Sequence, residues 1–118
     1  MRPKLLFVGD ATLRKVWQVL FAGRGWQVAS ASTADEGLAS LDPAPDYLIL
    51  DLRRPDAGRE AVLRRVRETG LRTRVTVLAA PDDAAEPDFL AELEPESLLR
   101  GPIDVARIWR EGVLATAG

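Results

Sequence analysis

The sequence predicts an α/β fold built on a mostly parallel, doubly wound sheet. Three observations carry this. Short apolar runs alternate with stretches of helical periodicity along the whole 118-residue chain. The runs are near-continuous in Leu, Ile and Val, as expected of strands covered by helices on both faces. Gly, Pro and Asp punctuate the junctions between them.

Each element has its own warrant. Leu5–Val8 is an apolar run closed by Gly9, read as the first strand. Leu13, Val16, Trp17, Leu20 and Phe21 then recur at helical spacing, with Trp17 read as core, and Gly23 and Gly25 end that helix. Trp26–Ser30 is the second strand. Thr33 is placed to cap a helix running through Leu41, with Asp35 and Glu36 at its positive end, and Asp42-Pro43-Ala44-Pro45 stops it. Tyr47–Leu50 is the third strand, ending at Asp51. Gly58 to Glu68 reads as a helix with Val62, Leu63 and Val66 inward and Arg59, Arg64, Arg65 and Arg67 mostly outward. Val75–Ala79 is the fourth strand. Pro87 allows a short helix starting there, with Phe89, Leu90 and Leu93 as its apolar face. Ser97–Leu99 is the fifth strand. Gly101-Pro102 breaks the chain, and Asp104 caps a last helix to about Ala115.

Composition bounds the chemistry. Hydrophobic residues make up 47% and charged residues 29%, an ordinary globular balance. One domain over residues 1–118 is expected at this length. The chain has no Cys and no His, which removes thiolate and imidazole catalysis, Ser-His-Asp triads and zinc-finger ligation. It also excludes a phosphohistidine donor. What remains is carboxylates, hydroxyls, 14 Arg, two Lys, and any hard cation that oxygens could hold. A net charge of −2 offers no broad basic field for nucleic acid, and no apolar run approaches a membrane span or a signal-peptide core. A cytoplasmic protein without membrane or nucleic-acid partners is the expectation.

In an open α/β sheet the ligand crevice lies beyond the carboxyl ends of the strands. Gly9 and Asp10, Asp51, Ala79 and Ala80, and Arg100 to Pro102 fall there. Asp51 is the informative residue, because it follows a buried run and so should stand at the end of a central strand. With Asp10 beside it, two carboxylates could share a magnesium ion, or Asp51 could attack a phosphoryl group. A surface aspartate opening a loop is the plain alternative.

At these residues the chain resembles the receiver domains of two-component response regulators, from Lys4 to about Ala115. Asp46-Tyr47-Leu48-Ile49-Leu50-Asp51-Leu52-Arg53-Arg54-Pro55-Asp56-Ala57-Gly58 is similar to the family's stretch ending D-L-x-M-P-x-x-D-G. Leu5–Asp10 resembles its opening strand with an acidic pair, and Gly101-Pro102-Ile103 its K-P-F/I. The resemblance implies a flavodoxin-like (βα)5 fold with strand order 2-1-3-4-5. It places the phosphoacceptor at Asp51 and a metal site on Asp10, Asp51 and the backbone carbonyl of Arg53. It places a cis-proline at Pro102.

The departures from the family are specific. Gly9 replaces one acid, Ala79 the switch hydroxyl, Leu98 the switch aromatic and Gly101 the invariant lysine. Arg54 stands where the family has Met, and the following loop is one residue short. A phosphoryl-transfer site works by positioning and charge neutralisation, and both are depleted here. The expected reading is a degenerate pseudo-receiver that acts through protein contacts and catalyses nothing, with magnesium bound weakly or not at all. Arg53 or Arg54 could pair with Asp51, and Arg100 could substitute for the lost lysine only if its strand end bends.

By the same resemblance, partners are a sensor kinase, an output domain or another signalling protein. A homodimer through the fourth helix, fifth strand and fifth helix is also implied. Val105, Ile108, Trp109, Gly112 and Val113 form a wide stripe on the last helix, with Ile108, Trp109 and Val113 as interface candidates beside Leu98. Three alternatives stay open: a working receiver phosphorylated on Asp51 with magnesium, a small-ligand module on the same fold, and a catalyst using Asp82-Asp83. No glycine-rich phosphate loop supports the second.

Overall fold

A computed structural model describes residues 2–53, 58–81 and 88–117. Five strands form one sheet: β1 (Lys4–Val8), β2 (Gln27–Ala31), β3 (Tyr47–Asp51), β4 (Arg74–Ala79) and β5 (Ser97–Arg100). All pairings are parallel and the order is β2-β1-β3-β4-β5, as the sequence implied. Among the described residues five α-helices connect and follow the strands: α1 (Arg14–Phe21), α2 (Ala34–Ala39), α3 (Glu60–Glu68), α4 (Asp88–Leu93) and α5 (Val105–Thr116).

The period-two alternation of the strands divides the interior into two cores. Leu6, Val8, Leu48, Leu50, Val75 and Val77 point to one face, against Val62, Leu63 and Val66 of α3 and Leu90 and Leu93 of α4. Leu5, Phe7, Tyr47, Ile49, Leu78 and Leu99 point to the other, against Trp17 and Phe21 of α1, Ile108 of α5, and Trp26. Every residue of β3 is buried, which is why its sequence reads apolar without alternation.

The helix signals in the sequence act as expected at two ends. Thr33 Oγ1 caps α2 by accepting from the Glu36 amide at 3.2 Å, and it donates to the Glu36 carboxylate at 3.0 Å. Asp104 accepts from the Arg107 amide at 3.1 Å and starts α5. Gly25 at φ +89° turns the chain out of α1 into β2, where an L side chain would be strained.

Four expectations are corrected. Trp26 precedes β2 instead of opening it, because its amide is still held by the Phe21 carbonyl at 3.1 Å and its ring packs on Phe21. Val16 is 37% exposed, since the pair Trp17 and Phe21 fills the inward face of α1. Arg59 is buried at the start of α3, whereas Arg64 and Arg67 reach outward to Glu92 and Glu96. The cis peptide bond among the described residues is Asp42-Pro43 and not Gly101-Pro102; at the latter the turn is made by Gly101 at φ +80°. Arg54, the pair Asp82-Asp83 and Pro87 lie outside the described residues.

A polar seam crosses the second core. Tyr47 Oη and Thr76 Oγ1 are 2.7 Å apart, and Thr76 Oγ1 and Ser97 Oγ are 2.7 Å apart, linking β3, β4 and the edge strand β5. Burial pushes the Tyr47 phenol upward, so it stays protonated and bound to Thr76. Thr76→Val keeps the shape but strips both neighbours of their partner. Urea denaturation should show a loss of about 1–3 kcal/mol for Thr76→Val, and less for Tyr47→Phe, which leaves the Thr76–Ser97 bond in place.

Candidate functional site

The carboxyl end of β3 holds Asp51, which is only 3% exposed. A buried carboxylate needs compensating charge and hydrogen bonds. Arg53 supplies both. Its backbone amide and its Nε each donate to Asp51 Oδ1 at 3.0 Å, and its Nη2 donates to Oδ2 at 2.9 Å. The result is a two-pronged guanidinium–carboxylate pair between residues two apart, the strongest hydrogen-bonded form of this ion pair. The hydrogen bonds to Asp51 hold the Arg53 guanidinium above its ordinary pKa. The charges of Asp51 and Asp10 act in the same sense, against partial burial.

Arg59 grips the same strand end from behind. Its Nη1 donates to the Asp51 carbonyl at 3.0 Å and its Nη2 to the Ser32 carbonyl at 3.1 Å, tying β3 to the loop after β2. This role was missed at the sequence level. The available signal was a cation in the first turn of a helix, where the macrodipole disfavours positive charge. Such a residue has a reason to turn back towards a carbonyl.

The other candidates fall around this pair. Asp10 Oδ1 accepts from the Thr12 amide at 3.0 Å and caps the short 3-10 turn Ala11–Leu13, and its charge is felt by Arg53. Gly9 is buried beneath Asp51, and a Cβ there would stand 2.5 Å from Asp51 Cβ and 2.6 Å from the Phe7 ring. The acid missing from this position therefore has no room. Ala79 is buried at the end of β4 and offers no hydroxyl. Leu98 is half-buried and packs on the core shared with α3 and α4. At Gly101 a side chain would meet open space, but the left-handed backbone disfavours one. Arg100 Nη1 lies 3.4 Å from the Ala80 carbonyl, a long contact beside the same crevice.

The structure thus brings Asp10, Asp51 and Arg53 together, but through the Arg53 side chain. The donor set does not fit a magnesium ion. Such an ion is held in near-octahedral geometry by one or two carboxylates and several waters, and here both Asp51 oxygens already receive guanidinium N–H groups. The guanidinium also supplies the positive charge that a cation would bring. The interface candidates separate as well. Ile108 is fully buried against the sheet and cannot contact a partner. Trp109 is half-buried, with its ring 5.3 Å from Phe21, and Val113 is 45% exposed.

No protein-family model matches the chain. It is 32% identical over 83 residues to the transcriptional regulatory protein TrcR of Mycobacterium tuberculosis, covering 70% of this chain and 32% of that one. The chain spans about a third of the length of this relative and of the transcriptional regulatory protein DltR of Streptococcus agalactiae, to which it is 37% identical over 79 residues. Among solved structures, it superposes on a CheY-like response regulator receiver domain protein of Methanospirillum hungatei with a TM-score of 0.81 and 16% identity, covering 97% of this chain and 93% of the other. A response regulator receiver domain protein of Clostridium thermocellum gives 0.79 and 20%, over 96% and 93% of the two chains. The fold is that of response-regulator receiver domains.

If Gly9 is closed by packing, refilling it should harm the protein. Gly9→Ala and Gly9→Asp should each lower stability by about 1–3 kcal/mol in urea denaturation, because Asp51 and Phe7 must move. A neutral Gly9→Asp would show that the acid position is open.

Proposed function

We propose that this chain is the receiver domain of a two-component response regulator whose Asp51 is held by Arg53, so that it signals through protein contacts and not through aspartyl phosphate. The observation that carries the reading is the two-pronged Arg53–Asp51 pair, at 3.0 and 2.9 Å. A phosphoacceptor needs a free carboxylate oxygen aligned with the incoming phosphorus, and cations placed on the transferred oxygens. Here the nearest cation lies on the nucleophile itself, which lowers its nucleophilicity and blocks the approach.

The neighbouring positions support the same reading. With Ala79 at the end of β4, no hydroxyl can follow a phosphoryl group. With Gly101 after β5, no ammonium is placed to bind one. On this reading the domain is no enzyme, needs no cofactor and contacts no nucleic acid itself. It acts in the cytoplasm beside a kinase, an output domain or another signalling protein. None of the helices among the described residues is long and apolar enough to cross a membrane. The retained Asp10 and Asp51 favour one second reading, a slow but working receiver.

Acetyl phosphate and beryllofluoride, each with magnesium, separate the two. Intact mass should show no phosphoryl adduct. Amide NMR signals of Ala79 and Leu98 should stay in place with beryllofluoride. A phosphoryl group on Asp51, or displaced signals along β4 and β5, would establish the working receiver instead.

A further inference from the structure

Five large hydrophobic side chains are exposed among the described residues: Val16 (37%), Val19 (69%), Val105 (41%), Val113 (45%) and Leu114 (53%). All five lie on α1 and α5. Single exposed apolar residues are ordinary, but their confinement to one layer of a domain marks a surface. The two helices are neighbours. The Trp109 ring sits 5.3 Å from Phe21, and a Cβ on Gly112 would meet the Phe21 ring at 2.8 Å.

Both helices start at the Asp51 end of the sheet and run away from it. Phe21, the last residue of α1, holds the Trp26 amide just before β2, and Glu111 of α5 reaches Arg74 at the first position of β4. Val19, Val113 and Leu114 sit in the later parts of these helices, so the most exposed apolar side chains lie towards the end opposite Asp51.

The charge on this layer is one-sided. From Ala11 to Ala34 the chain carries Arg14, Lys15 and Arg24 and no carboxylate. On α5, Arg107 and Arg110 stand against one acid, Glu111, which is held by Arg74 at 3.3 Å. Arg24 is fixed over the Trp109 ring at 5.1 Å and donates to the Leu20 carbonyl at 2.9 Å. An open groove of about 410 Å³ runs along Arg107, Arg110, Glu111 and Leu114. A chain of net charge −2 thus presents an apolar face rimmed by cations.

We propose that the outer face of α1 and α5 docks a partner protein through an amphipathic helix whose apolar stripe is bordered by Asp and Glu. This rests on the reading of the domain as an interaction module and names the surface and the partner's chemistry. Charge complementarity selects the occupant. Two copies of this face would set like charges together. Helices that lie on membranes insert several bulky side chains such as Trp, Phe and Leu, whereas here four of the five exposed apolar side chains are Val, Leu114 is the one bulky member, and Trp109 is packed on Phe21 and covered by Arg24. A partner seated towards the far end of α1 and α5 leaves Asp51 uncovered.

The test uses two synthetic amphipathic helices with the same leucine stripe, one flanked by glutamates and one by lysines, titrated into the whole chain. The glutamate peptide should shift amide signals at Val19, Trp109 and Val113 and bind at least about tenfold more tightly than the lysine peptide, with affinity falling as salt rises. Val19→Glu and Leu114→Glu should each reduce binding by about tenfold with unchanged circular dichroism, and Arg110→Glu likewise. Equal binding of the two peptides would overturn the proposal. So would binding unaffected by all three variants, tighter binding to phosphatidylserine vesicles, or self-association abolished by these substitutions. Phosphorylation of Asp51 with peptide binding intact would fail the module reading alone; loss of peptide selectivity with Asp51 unmodified would fail this surface alone.

Discussion

A carboxylate placed at the end of a fully covered strand is an electrostatic problem before it is a functional group. Asp51 stands where β3 leaves two packed cores, with little water to solvate it. An unpaired charge so buried costs several kcal/mol, so the fold must bring a cation or lose the ionised form. Here the cation is covalently attached two residues away, in Arg53. The other features of the crevice pack around that pair. Gly9 lets Asp51 sit down on β1, Arg59 holds the strand end by its carbonyl, and Ala79 is buried at the end of β4.

The fold was legible because each of its causes is local. Apolar runs with period two, helices with a 3.6-residue stripe, and caps at Thr33 and Asp104 all act within a few residues. Asp51 and Asp10 were legible for the same reason, since a polar residue ending an apolar run has one place to go. Arg53 was readable only as one of two candidates, because pairing depends on a rotamer that the sequence does not state. Arg59 and Ile108 were misread for a different reason. Whether a residue in a helix's first turn or in a wide apolar stripe points inward depends on how the helix is rolled against the sheet. On α1 and α5 that roll is set by non-local contacts such as Phe21 against Gly112 and Trp109.

The roll of α5 also redistributes what the domain shows to others. Because Ile108 faces the sheet, the apolar side chains left outside are Val105, Val113 and Leu114, which join Val16 and Val19 of α1. The basic residues of the two helices then frame an apolar centre, while in the opposite layer Glu92 and Glu96, beside α4, are paired with Arg64 and Arg67 of α3. A site locked at one end of the sheet and an open basic-apolar face running towards the other are compatible in one molecule. On the proposed reading, the first removes a switch and the second leaves a constant surface.

The central claim is that Arg53 occupies the electrostatic place of a divalent cation at Asp51. Manganese(II), a paramagnetic counterpart of magnesium, tests it directly through amide line widths at Asp10, Asp51 and Arg53. The account predicts that the wild-type signals keep their widths at metal concentrations that broaden the Asp10 and Asp51 signals of Arg53→Ala. Equal broadening in the two proteins would contradict it, because the metal would then bind with the guanidinium still present.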